Sequence, residues 1–279
     1  MKYKSQTCIF EEKQVGEVLY LSYPLLEKTG IVKHGFSTRI GGASEGIWSS
    51  MNLSFSRGDD ETSVRENFRR MAKALGVSED SFVFSHQTHT TNVRKVTEND
   101  RGKGIVRPLD YQDVDGLITN VSGLCLATFY ADCVPLYFVD PVHKAIGLSH
   151  SGWRGTVGKI GQVTLGKMHE EYGTNPSDVI AAIGPSICQD CYEVSEDVIL
   201  QFQKSFAEQH WNSIYYKKEN GKYQLDLWKA NEIILLEAGV KREHLAVTNL
   251  CTCCNSEELF SHRASQGKRG NLAAFLALK

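Results

Sequence analysis

Two apolar runs, Val134 to Val139 and Lys144 to Ser149, flank Asp140-Pro141-Val142-His143, and this segment constrains the fold most. Each run is short, bounded by turn residues and rich in β-branched or aromatic side chains, as strands are. Asp followed by Pro opens a turn, because Pro presets φ at the second turn position and an Asp carboxylate can bond the backbone N–H groups that follow. The pattern predicts an antiparallel hairpin with a four-residue loop, a common length. With Asp140 to His143 as the loop, Val139 faces Lys144, and counting outward places Cys133 opposite His150. Directly opposed residues hold their Cβ atoms about 4.5–5.5 Å apart on one face. Zinc binds sulfur at about 2.3 Å and imidazole nitrogen at about 2.0–2.1 Å, so one ion can bridge such a thiolate and imidazole. A slip of one residue on one strand would separate them.

A third donor lies in Phe84 to His89, where His86 and His89 follow an apolar strand. Three apart, they face opposite sides of a regular strand, and periodicity does not choose between them. Two histidines and one cysteine leave a fourth position open, the pattern of a catalytic zinc site. Copper would suit the same donors and outcompetes zinc on affinity. Two glycine-bearing loops carry arginines: Arg39 in Ser37 to Gly42, and Arg154 in Gly152 to Gly155, just ahead of a helical pattern. Arginine suits bidentate binding of phosphate, and a helix N-terminus adds free N–H groups. Asp132 points away from Cys133 in a regular strand; it either fixes a loop or acts as a carboxylate at the strand end. Asp115 is open to the same two readings, and Asp113 reads as turn chemistry. Cys188-x-x-Cys191 and Cys251-x-Cys253-Cys254 supply five more thiols. Four of them could make a structural zinc site, but the irregular second group favours buried or loop thiols.

Further strand-like runs are interleaved with helical patterns at Glu61 to Leu75, Val157 to Tyr172, Ser195 to Glu208 and Asp226 to Ala238, with Gly239 as a stop. Strands outnumber helices, and most neighbours are joined too closely for a helical crossover, which favours antiparallel pairing. The expectation is an α+β fold, a mixed α/β sandwich with a largely antiparallel β core and helices outside, in a single domain spanning 1–279. Asn99 to Gln112 is the most loop-like stretch. A hydrophobic content of 41% over 279 residues is ample for such a core. A formal net charge of -2 calls for neither nucleic acid nor an anionic membrane as partner. The N-terminus lacks the apolar core of a signal peptide, and no run approaches the roughly 18 apolar residues of a spanning helix. The expected location is cytoplasmic, where the eight cysteines stay reduced. Nothing in the sequence sets an oligomeric state.

Several blocks occur in one order: His34 to Arg39 with Gly41-Gly42, Gln87-Thr88-His89, Asp115 to Thr119, Ala131 to Pro135, His150 to Gly155, Ile183-Gly184-Pro185, Tyr192-Glu193-Val194, Cys251-Thr252 and Phe260 to Arg263. Together they resemble the bacterial laccase-domain proteins, also described as multifunctional purine nucleoside phosphorylases. The resemblance implies His89, rather than His86, as a metal ligand with Cys133 and His150. It implies an α/β sandwich distantly related to cysteine-type toxin deamidases. It also implies phosphorolysis of adenosine, inosine and guanosine, cleavage of methylthioadenosine, and deamination of adenosine. Ser151 and Thr90 depart from the family's common Ala and Gly, away from the metal set.

The first expectation is therefore a zinc enzyme acting on a purine nucleoside and phosphate, with Cys133 and His150 at the catalytic centre and Arg39 and Arg154 binding substrate. Deamination here would need another layout than that of the zinc cytidine-type enzymes, whose His-x-Glu and Pro-Cys-x-x-Cys motifs are missing. A copper polyphenol oxidase is the alternative, but nine histidines with no His-x-His pair fall short of four-copper chemistry. A thiol hydrolase with Cys133 as nucleophile and His150 as base would use the same pair, and a non-enzymatic metal or nucleotide sensor is a further class.

Overall fold

The computed structural model describes residues 1–279. Fifteen strands follow one another: β1 (Glu11–Val15), β2 (Val18–Ser22), β3 (Val32–Ser37), β4 (Phe82–Phe84), β5 (Val93–Lys95), β6 (Gly116–Thr119), β7 (Cys125–Tyr130), β8 (Val134–Asp140), β9 (Ala145–Ser151), β10 (Ile180–Ile183), β11 (Glu193–Val194), β12 (Tyr215–Lys217), β13 (Tyr223–Leu225), β14 (Leu245–Val247) and β15 (Leu272–Leu278). Helices are α1 (Pro24–Glu27), α2 (Glu61–Leu75), α3 (Trp153–Val157), α4 (Ile160–Tyr172), α5 (Glu196–Ser205), α6 (Trp211–Ile214), α7 (Leu227–Glu237) and α8 (His262–Ser265). None is long and apolar enough to cross a membrane.

Two six-stranded sheets, β1-β2-β3-β15-β7-β4 and β14-β10-β8-β9-β6-β5, pack face to face. Pairing is antiparallel except for β4 with β7, β5 with β6, and β10 with β14. The period-2 alternation of strands builds the layers. In β8, Tyr137 and Val139 join the inter-sheet core with Leu126 and Leu276 of the other sheet. Leu136 and Phe138 point the opposite way, into a core under α4 and α7. On the outer face of the first sheet, α2 lays Val64, Phe68, Met71 and Leu75 against Phe82 and Phe275. The mixed α/β sandwich expected from sequence is what forms.

The expected hairpin forms, but its register differs. Val134 pairs with Ser151, Pro135 with His150 and Asp140 with Ala145, so the loop is Pro141 to Lys144. The loop chemistry explains the shift. Asp140 stays in the ladder while its carboxylate accepts from the N–H groups of Val142 at 2.9 Å and His143 at 3.1 Å. Lys144, expected in the strand, takes a left-handed φ of 50° to close the loop. Cys133 is therefore diagonal to His150, not directly opposite it. The loop moved by one residue on both strands together, so each keeps the same face toward the core. The helix expected over Val157 to Tyr172 is likewise broken: α3 and α4 are separated at Gly158 and Lys159, the latter with φ 56°.

Candidate metal centre and substrate cavity

The turn from β7 to β8 carries the chain from one sheet to the other and presents Cys133 at the end of the inter-sheet space. At its centre Asp132 takes a left-handed φ of 87°. The Asp132 carboxylate is engaged in anchoring: Oδ1 accepts from Thr252 Oγ1 and Oδ2 from the Arg263 N–H, each at 2.7 Å. Its carbonyl accepts from the Ile187 N–H at 3.0 Å. Of the two sequence readings of Asp132, loop fixation is the one its contacts fit.

Asp115 is fully buried and organises the other two donors. It accepts from the backbone N–H groups of Thr88, His89 and Thr90 at 3.0, 3.1 and 2.9 Å. This grip turns the backbone out of strand geometry, and His89 adopts a φ of 66°. The same carboxylate meets His150 Nδ1 at 2.7 Å, leaving Nε2 as that ring's free donor atom. Burial alone would raise the Asp115 carboxyl, but the hydrogen bond and charge of His150, with the Thr88 and Thr90 N–H groups, hold it below the usual carboxylate range. Asp113 plays the turn role expected of it, accepting from Thr88 Oγ1 at 2.8 Å. His86 lines the adjacent cavity but lies outside this donor set, its Nδ1 accepting from the Asp113 N–H at 3.4 Å.

His89, Cys133 and His150 bring their donor atoms within 4.8 Å of one another, a set that could hold a metal ion. Cys133 Sγ is 3.9 Å from His89 Nε2. Gly152 makes room for the set: a Cβ there would lie 2.8 Å from His89 Cδ2 and 3.2 Å from Cys133 Sγ. Burial pushes the Cys133 thiol up, yet the charge and hydrogen bonds of His150, and then of His89, outweigh it and bring it down to about 6. Burial lowers His150 while Cys133 and Asp115 raise it, to about 9. Each partner thus favours the charged form of the other, thiolate beside imidazolium.

These donors open onto a cavity of about 680 Å³. Phe55, Phe84, Phe129 and Tyr130 supply flat apolar walls. Ile105 to Leu109, within the stretch read as most loop-like, close one side. The arginines expected at the site lie outside this lining. Arg39 donates to the carbonyls of Ser49 at 2.7 Å and Ser256 at 2.8 Å and stacks on Phe260. Arg154 is exposed beside Trp153, and α3 behind it is a five-residue helix. Instead, Arg57 and Arg269 line the cavity. Arg269 is buried and donates to the Gly270 carbonyl and Asn271 Oδ1, but its Nε has no partner. Burial, and then the Arg57 charge, bring its guanidinium down to about 10. No local motif marks either residue, because only the fold places the segment leading into β15, Arg269 to Asn271, against Asn52 and the Arg57 loop.

The molecule is thus a two-sheet α/β sandwich with a His/Cys donor set, able to hold a metal ion, at the edge of a cavity. Residues 33–279 match the family described as multi-copper polyphenol oxidoreductase laccase, and the chain belongs to that enzyme family. It is 38% identical over 248 residues to the purine nucleoside phosphorylase YlmD of Bacillus subtilis, covering 88% of each chain. It is 35% identical to an adenosine deaminase named RL5 from an unknown prokaryotic organism, over 85% of this chain and 93% of that one. The crystal structure of the Bacillus licheniformis hypothetical protein YfiH superposes with a TM-score of 0.90 at 34% identity, covering 97% of this chain and 99% of that one.

Proposed function

We propose that this chain is a zinc-dependent purine nucleoside phosphorylase with adenosine deamination as a side activity. Adenosine, inosine, guanosine and methylthioadenosine are the proposed substrates. The observation that carries the reading is a three-donor His/Cys set beside a cavity whose wall holds a buried arginine with an unpartnered Nε. The names of the relatives support the same reaction.

The donors fit zinc. Tetrahedral zinc at ordinary bond lengths separates sulfur and nitrogen by about 3.6 Å, against 3.9 Å between Cys133 Sγ and His89 Nε2. Asp115 on His150 Nδ1 supplies the carboxylate–histidine support that orients metal-binding imidazoles. Bound zinc would supply a Lewis acid and a positive charge beside the reacting phosphate. Arg269 and Arg57, in place of Arg39 and Arg154, would hold the phosphate dianion. The aromatic walls would stack the purine. A phosphate oxygen forms the bond to ribose C1 as the bond from C1 to the base nitrogen breaks; the electron pair leaves on the purine, which takes up a proton. The enclosing wall limits competing attack by water.

Copper at this set is the alternative ion, but four-copper chemistry lacks donors: besides it, the only other such cluster is made of cysteines. A second reading, metal-free thiol catalysis, draws on Cys133 and His150 lying close enough for each to favour the other's charged form, with Asp115 holding His150 Nδ1. Incubation with adenosine and phosphate, before and after chelation, tests both. Phosphate-dependent adenine release lost on chelation supports the main reading, whereas cleavage surviving chelation supports thiol catalysis.

A further inference from the structure

Four cysteines converge away from the cavity. Grouping the second set of thiols as Cys251-x-Cys253-Cys254 hides its regular element: Cys251-x-x-Cys254 repeats the spacing of Cys188-x-x-Cys191, and Cys253 is the odd thiol. The Sγ atoms of Cys188, Cys191, Cys251 and Cys254 all lie within 4.8 Å of one another. Cys191 and Cys254 stand 3.5 Å apart, sulfur to sulfur. Disulfide sulfurs sit at about 2.05 Å, and all eight cysteines are free. Four thiolates around one tetrahedral ion at about 2.3 Å would be separated by about 3.8 Å.

We propose that Cys188, Cys191, Cys251 and Cys254 form a second metal site, a closed tetrathiolate zinc clip. The backbone is arranged to stabilise anionic sulfur: the N–H groups of Cys188 and Cys254 both point at Cys251 Sγ, at 3.2 and 3.4 Å. Such hydrogen bonds to ligand atoms are a recurrent feature of metal centres. The two loops are brought into register by the Ser186–Cys251 bridge and by the Thr252 N–H donating to the Ser186 carbonyl at 3.1 Å. Apolar packing here is thin, with Ile187, Cys188 and Cys251 as the only fully buried members of their cluster. A metal cross-link supplies what that small core does not.

Four protein ligands leave no open position, so the clip is structural rather than catalytic. It also backs the first site. Ile187 and Thr252, each next to a clip cysteine, are two of the residues that hold Asp132, the neighbour of Cys133.

The test uses the full chain carrying His89→Ala, Cys133→Ser and His150→Ala, which removes the first site. Purified under reducing conditions, it should retain one zinc per chain, against two in the wild type. X-ray absorption at the zinc edge should show four sulfur ligands at about 2.3 Å. Cys253→Ser added to this background should leave the zinc in place, whereas Cys191→Ser with Cys254→Ser should remove it. Cobalt titration of the demetallated triple variant gives an independent readout: tetrahedral thiolate bands are expected, at one equivalent. A folded triple variant without metal, nitrogen or oxygen ligands in the absorption spectrum, iron in place of zinc, or disulfides among these thiols would each overturn the proposal.

Discussion

Replacing Asp115 by Asn tests how the first site is held. Asp115 Oδ2 accepts from the N–H groups of Thr88 and Thr90 and from Thr90 Oγ1, and Oδ1 accepts from His89 N–H and from His150 Nδ1. An amide keeps one acceptor oxygen and turns its NH2 toward donors on the other side. At least two N–H groups then lose their partner, at about 1–3 kcal/mol for each unsatisfied buried group. Asp115→Asn should therefore destabilise the metal-free protein by roughly 3 kcal/mol in urea unfolding. Loss of the carboxylate behind His150 should also weaken zinc binding by about 10- to 100-fold. Calorimetric titration of demetallated protein measures this, counting only the site abolished by Cys133→Ser. A folded Asp115→Asn protein with wild-type zinc affinity would refute the claim that Asp115 orients His150 and the His89 turn.

Three further outcomes follow from individual contacts. Gly152→Ala places a methyl group 2.8 Å from His89 Cδ2, so zinc affinity and activity should drop about 10-fold or more with little change in Tm; an unchanged affinity would mean the His89 ring has room to move. Arg269→Met should raise KM for phosphate by about 10-fold or more, as loss of a charged hydrogen bond does, while KM for the nucleoside stays within a few-fold; equal effects on both would place phosphate elsewhere. His34 accepts the Tyr23 N–H on Nε2 at 2.8 Å, and burial, then nearby Lys13, lowers it to about 4. Because its folded value lies below the unfolded one, its contribution is complete above pH 6.5 and is lost as pH falls toward 4, amounting to about 3 kcal/mol. Urea unfolding across that window should show a steeper loss in the wild type than in His34→Gln, and parallel curves would contradict the assignment.

Local chemistry made parts of the fold legible. Asp60 caps α2 by accepting from the Ser63 N–H, and Gly76 ends it with φ 66°, so its sequence limits match its structural ones. β8 is readable for the same reason, as a run of apolar residues closed by a turn-forming Asp. The central strand β15 carries no clear strand signal: its run of Leu, Ala and one Phe lacks β-branched residues, and burial on both faces makes it a strand. Cys133 and His150 were placed on one face correctly but in the wrong register, because Lys144 in the left-handed region moves the loop by one residue. Spacing could not separate His89 from His86, since the turn that selects His89 depends on Asp115, distant in sequence. Arg57 and Arg269 meet only through tertiary packing, so glycine-loop arguments pointed to Arg39 and Arg154 instead.

The most direct test of the phosphorylase reading is phosphorus NMR of the zinc-loaded protein with adenosine and inorganic phosphate. The account predicts conversion of the inorganic phosphate signal to that of ribose 1-phosphate, in step with adenine release, and loss of both in Cys133→Ser. Adenine released with free ribose and unchanged phosphate, or no base released from any purine nucleoside, would contradict it.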